Sequence, residues 1–150
     1  MRNNLPLLDK YEKIIREDKS SLVFAPLAEI YRKSGEFKKA IKICNEGLEY
    51  NPDYISGRLV LANCYYELED YRHAFEVIKN YIDTNLDNNM LQKTWGKINL
   101  ELGNTEVALE CFKKLLFIFP GDREIAELVE NLEMEISPLE INVLDDSGKK

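Results

Sequence analysis

Histidine and cysteine are both scarce in this chain of 150 residues, and each scarcity narrows its chemistry. Serine–histidine or cysteine–histidine catalysis would have to use His73, which sits between Arg72 and Ala74 near the start of an expected helix, in an outward, solvated position. Cys44, Cys64 and Cys111 are odd in number, far apart and without a CxxC pair, so no disulfide framework or zinc site is indicated. Each falls inside an expected helix, where it reads as a small buried apolar residue. GxxxxGK, GxGxxG and HExxH are all absent, which leaves phosphate cradles and zinc hydrolase sites without support. No catalytic residue, metal ligand or cofactor is therefore expected.

Positive charge is also in deficit. The net charge is −7, and residues 121–150 carry nine acids against Arg123, Lys149 and Lys150, a net of −6 that leaves the first 120 residues at −1. Binding phosphates needs a basic face, so neither nucleic acid nor an anionic membrane surface is an expected partner. The one long apolar run, Leu115–Pro120, is too short to span a bilayer. The first ten residues contain no apolar stretch of signal length, and a cytoplasmic location is expected. With 45% hydrophobic and 31% charged residues, the chain has enough apolar material to bury a core.

What the sequence does have is a period. Ala40, Ala74 and Ala108 stand 34 residues apart, and other columns share the spacing. Leu27, Leu61 and Trp95 form one column, Ala28, Ala62 and Gly96 the next, and Tyr31, Tyr65 and Asn99 a third. Phe37 aligns with Tyr71, Cys44 with Ile78 and Phe112, and Pro52 with Pro120. Glu69 stands where Gly35 and Gly103 stand, and Leu86 where the prolines stand.

Apolar spacing makes each unit a pair of helices. In residues 21–54 the first helix presents Phe24, Leu27, Ala28 and Tyr31, with Ser20 or Ser21 as N-cap and Pro26 in or near its first turn. Ser34-Gly35 supplies the turn, and Phe37, Ala40, Ile41, Cys44 and Leu48 mark the second helix, ended by Asn51-Pro52. Residues 55–88 repeat this with Leu61, Ala62 and Tyr65, then Tyr71, Ala74, Phe75, Ile78 and Ile82, the run Asp87-Asn88-Asn89 acting as breaker. Residues 89–122 carry Trp95, Gly96 and Ile98, a turn at Gly103-Asn104, then Val107, Ala108, Phe112, Leu115 and Leu116. A capping helix over residues 1–20, with Asn4 as N-cap, presents Leu7, Leu8, Tyr11, Ile14 and Ile15. Another over residues 123–136 presents Ile125, Leu128, Val129, Leu132 and Ile136 in a narrow stripe among glutamates, the polar outer face an open stack needs.

These units resemble tetratricopeptide repeats. The family's large-then-small pair stands as Leu27-Ala28, Leu61-Ala62 and Trp95-Gly96, its aromatic partner as Tyr31 and Tyr65, its packing alanine as Ala40, Ala74 and Ala108, and its terminating proline as Pro52 and Pro120. The resemblance covers roughly residues 20–122. It implies an all-α, right-handed superhelical α-solenoid whose first helices line a concave groove that binds proteins. Carried over by register, the lining is Leu22, Ala25, Glu29 and Arg32, then Ser56, Leu59, Asn63 and Tyr66, then Met90, Lys93, Lys97 and Leu100. One version of the family clamps acidic chaperone tails; the matching places here are Ala25, Glu29, Val60, Met90 and Thr94, and none can hold a carboxylate by charge.

The resemblance therefore implies a non-catalytic adaptor whose groove takes a peptide, an amphipathic helix or a protein surface, with small GTPases and signalling proteins among the clients it allows. Two other readings stand beside it, a secretion-type chaperone for a protein client and a structural subunit assembling through its end helices or tail. A monomer or weak homodimer is expected. Residues 137–150 read either as a flexible acidic end or, since apolar and polar residues alternate over Leu139–Val143, as an extended segment able to dock in a groove or on a sheet edge.

Overall fold

The computed structural model describes the backbone of residues 5–148 and the side chains of residues 5–136. Among these residues the secondary structure is helical, and the chain divides into two units, residues 1–85 and 86–150. The first contains α1 (Leu5–Glu17), α2 (Phe24–Lys33), α3 (Phe37–Tyr50), α4 (Ile55–Glu67) and α5 (Tyr71–Ile78), followed by a 3-10 turn over Lys79–Tyr81. The second contains α6 (Asn89–Glu101), α7 (Thr105–Ile118) and α8 (Arg123–Gly148). Helices α2 and α3, α4 and α5, and α6 and α7 pack as neighbouring pairs, with α1 against α2 and α8 against α7.

The three turns within the pairs are built alike. After each first helix one residue takes a left-handed conformation, Gly35 at φ +80°, Glu69 at +61° and Gly103 at +84°. The next amide then donates back to the carbonyl five residues earlier: Glu36 to Tyr31 at 2.9 Å, Asp70 to Tyr65 at 2.9 Å, Asn104 to Asn99 at 2.8 Å. This closure satisfies carbonyls that the helix end would leave open. Asn99, which replaces a third tyrosine, is fully buried yet satisfied: its amide donates to the Trp95 carbonyl at 2.8 Å and its side-chain oxygen accepts from Asn104 at 3.0 Å.

In the first unit Leu27, Ala28, Tyr31, Ala40, Cys44, Val60, Leu61 and Cys64 form one core, onto which α1 lays Leu8, Tyr11 and Ile15. Leu7 stays exposed, while the Tyr31 hydroxyl donates to the Glu12 carboxylate and ties α1 to α2. Phe24 fills a slot left by two glycines. A Cβ placed on Gly47 would come within 2.1 Å of the Phe24 ring, and one on Gly57 within 2.5 Å. In the second unit Ala108, Phe112, Leu115, Ile125, Val129 and Leu132 form the core, and Gly96 lets the Phe112 ring approach in the same way, 2.5 Å from where a Cβ would stand.

Three local expectations are corrected. Helix α2 begins at Phe24 rather than beside a serine cap, because the Ser21 hydroxyl accepts from the Val23 amide at 3.3 Å, one turn too early to cap the helix. Pro26 nonetheless falls in the first turn, where its missing N–H has no helical partner to lose. The second helix of the middle pair stops at Ile78 instead of reaching Ile82. Here the register puts Arg58 in the place of Phe24 and Tyr81 in the place of Gly47. The Arg58 guanidinium lies over the Tyr81 ring at 4.5 Å and donates to the Val77 carbonyl at 2.9 Å. That carbonyl is the one a continuing α-helix would offer to the Tyr81 amide.

Trp95 is half-buried, and Phe112 is the large ring fully buried in the second core. Finally, α8 continues past Ile136 to Gly148, so the backbone is helical where a flexible acidic end or an extended Leu139–Val143 was expected. Leu132, Ile136, Leu139 and Val143 recur at helical spacing as well, and a short apolar run satisfies both periods. The Asn4 cap lies outside the described residues.

Two substitutions test these contacts by urea denaturation followed by circular dichroism. Gly47→Ala forces the Phe24 ring out of its slot and is expected to destabilise the first unit by about 2 kcal/mol; a midpoint equal to wild type rejects the packing. Glu69→Gly removes a side chain from a left-handed position and is expected to stabilise by roughly 0.5–1 kcal/mol, whereas a lowered midpoint rejects the strain.

Candidate functional site

In the first unit the proposed lining comes from α2 and its preceding turn, and from α4. Leu22 is 45% exposed, Ser56 is exposed, and Leu59, Asn63 and Tyr66 are half-buried. Ala25 is buried, at 2% exposure, and drops out of the lining: its methyl belongs to the packing of α2 and offers no surface to a ligand. Glu29 and Arg32 are brought together, Arg32 Nε donating to Glu29 at 2.6 Å. Arg32 also pairs with Glu67 on α4, a residue the register reading missed. Arg32 on one first helix and Glu67 at the end of the next form a cross-helix pair, which the register of either helix alone does not show.

In the second unit Met90, Lys93, Lys97 and Leu100 follow one stripe of α6. Met90 is 66% exposed, and Leu100 packs against the core beneath. Both lysines reach the Glu124 carboxylate in the first turn of α8, Lys93 Nζ at 3.0 Å and Lys97 Nζ at 2.5 Å. Lys93 also lies 3.6 Å from Asp122, whose other oxygen accepts the Ile125 amide at 3.1 Å and caps α8. Hydrogen bonds from Lys97 and then Lys93 hold the Glu124 carboxyl below the usual range, and the bond to Glu124 holds Lys93 above its own. The sequence reading took these α8 acids for a solvated face. Asp122 as a cap, two residues before Glu124, was the available sign that Glu124 would stand at the start of a helix.

The places of the chaperone-tail clamp gather no cation. Ala25 and Val60 are buried, Glu29 is paired with Arg32, Met90 is apolar and Thr94 is half-buried.

Reactive chemistry finds no assembly among the described residues. His73 is two-thirds exposed, 2.7 Å from Asp70 and stacked on Tyr65 at 5.3 Å between ring centres. Burial pushes the thiols up, Cys64 and Cys111 each to about 11 and Cys44 further still, so all three remain protonated at neutral pH and are weak nucleophiles. No group of acids, cysteines and histidine among the described residues is placed to hold a metal ion. An open hollow of about 420 Å³ is lined by Gly35, Glu36, Phe37, Lys38, Lys39 and Leu68, and contains none of the lining residues.

Comparison with known proteins places this geometry. The family model described as anaphase-promoting complex, cyclosome, subunit 3 matches residues 2–81, a little over half of the chain. An inactive peptidyl-prolyl cis-trans isomerase named shutdown, from Bombyx mori, is 28% identical and its match covers 93% of this chain, which spans only 36% of that protein. Among solved structures, YrrB, described as a TPR protein with an unusual peptide-binding site, superposes with a TM-score of 0.78 at 18% identity over 87% of this chain and 68% of its own. The first TPR domain of Spaghetti, solved with an HSP90 peptide, does so with a TM-score of 0.72 at 18% identity over 79% and 94%. On its fold and on the match over residues 2–81, the chain belongs to the tetratricopeptide-repeat family described as anaphase-promoting complex, cyclosome, subunit 3.

Proposed function

We propose that this chain is a non-catalytic, cytoplasmic protein-binding module whose first unit presents the exposed faces of α2 and α4, and whose second presents that of α6, for binding protein partners. The observation that carries the reading is what helix packing leaves over. Small residues and core rings account for the repeating columns, yet Met90 remains exposed and Leu59 and Tyr66 half-exposed on first helices, and Leu22 exposed in the turn before α2, beside charged residues that no core requires. Large apolar side chains beside polar neighbours are what a peptide-binding face needs. The peptide-bound Spaghetti domain and the peptide site ascribed to YrrB support the same use of the fold. An acidic chaperone tail held by the family's clamp is not part of the proposal, since the clamp places carry no cation. A peptide, an amphipathic helix, or the surface of a small GTPase or signalling protein remain the partner classes. No helix among the described residues is long and apolar enough to cross a membrane. The division into repeats at 21–54, 55–88 and 89–122 belongs to the same proposal.

A second reading, assembly with further copies, is favoured by Phe117, Ile118 and Phe119, which are 89%, 54% and 47% exposed at the end of α7. A mass that grows with concentration in light scattering supports it, and a constant monomer mass rejects it.

The adaptor reading is tested by comparing captured proteins from native extract on wild-type bait and on bait carrying Leu59→Glu with Lys97→Glu, both checked for helicity. Charge introduced into a binding face is expected to lower capture of a true partner by about tenfold or more, the equivalent of 1.4 kcal/mol. Identical captured sets on the two baits reject the face.

A further inference from the structure

The pairing of Lys93 and Lys97 with a single carboxylate bears on what the α6 face recognises. Both ammonium groups converge on Glu124, one at 3.0 Å and the other at 2.5 Å, while Asp122 caps α8 with one oxygen and leaves the other 3.6 Å from Lys93. The two lysine side chains remain about a third exposed and Glu124 about half exposed, so water reaches all three. An exposed ion pair contributes little to stability and exchanges readily. Glu124 also does not need the lysines to stay charged. In the first turn of α8 it is favoured by the helix dipole, and once released it is solvated there. Apolar residues flank the pair along the same stripe, Met90 before it and Leu100 after it.

We propose that Glu124 is an internal stand-in for an acidic side chain of the partner, and that a peptide segment with acids between apolar residues docks on the α6 stripe by displacing Glu124 from Lys93 and Lys97. This rests on the protein-binding reading above and adds the chemistry of the ligand. A segment without acids leaves the internal pair closed and gains only the apolar contacts. One with two neighbouring acids replaces Glu124 and frees it to water. The internal carboxylate thus competes with acidic segments alone and sets how much an incoming acid gains.

Fluorescence anisotropy on the full chain tests it with a labelled peptide, Leu-Leu-Glu-Glu-Leu-Leu, and the same peptide carrying Gln-Gln at its centre. E124Q is expected to tighten the Glu-Glu peptide about three- to fivefold and leave the Gln-Gln peptide unchanged. K93M with K97M is expected to abolish the preference between the two. Circular dichroism checks that each variant folds. Equal affinity of wild type and E124Q for the Glu-Glu peptide overturns the proposal. If in that case Met90→Glu still weakens both peptides, the α6 face remains a binding face and only the stand-in fails. No binding of either peptide to any variant overturns this proposal and the α6 part of the docking face together.

Discussion

A ring laid against a glycine is the contact on which each unit depends. In the first, Phe24 rests on Gly47 of α3 and Gly57 of α4, so one side chain locks three helices at a distance that any Cβ would forbid. The second does the same with Phe112 of α7 over Gly96 of α6. Such contacts combine the large apolar area of an aromatic ring with a helix approach closer than side chains usually permit. Ala28, Ala40, Ala62, Ala74 and Ala108, all fully buried, extend the same close approach along each pair. Surfaces of the first helices are free to vary because the packing makes no demand on them.

The 34-residue period made most of this legible. Columns of small and large residues correspond to packing, and a period survives wherever packing is repeated. Glu69 is instructive: its alignment with two glycines marked a turn against its own preference, and the backbone there is left-handed as the register required. Where the column broke, the sequence could not say what would replace it. Arg58 and Tyr81 stand in the register of Phe24 and Gly47, and an arginine with a free guanidinium can cap carbonyls that a phenylalanine cannot. The Arg58 guanidinium reaches the Val77 carbonyl where α5 gives way to a 3-10 turn, a contact that no column of the period contains. At the start of α2 a serine in the expected place spent its hydroxyl on the wrong amide.

The proposed lining was legible only in part, for a related reason. Register assigns a residue to a face, but not the partner it finds there. It placed Glu29 with Arg32, and Lys93 with Lys97, yet it contained no means of bringing Glu67 to the first pair or Glu124 to the second. Those acids come from other helices, and pairings of that kind depend on the approach of the helices and the reach of long side chains. Ala25 failed in the opposite direction: a small residue on the correct face is simply covered.

Paired charges change how such a face can discriminate. A lone lysine on a surface attracts any acid, whereas Lys93 and Lys97 already hold one, so an incoming carboxylate gains only the difference between itself and Glu124. That difference is small for exposed pairs. On the proposed α6 face, affinity then comes mainly from apolar burial at Met90 and its neighbours, and the internal carboxylate moderates what an incoming acid gains. In the first unit Arg32 is likewise paired, with Glu29 and Glu67, and presents a closed charge network instead of a free guanidinium. Selectivity of this kind arises from what must be displaced as much as from what is newly formed.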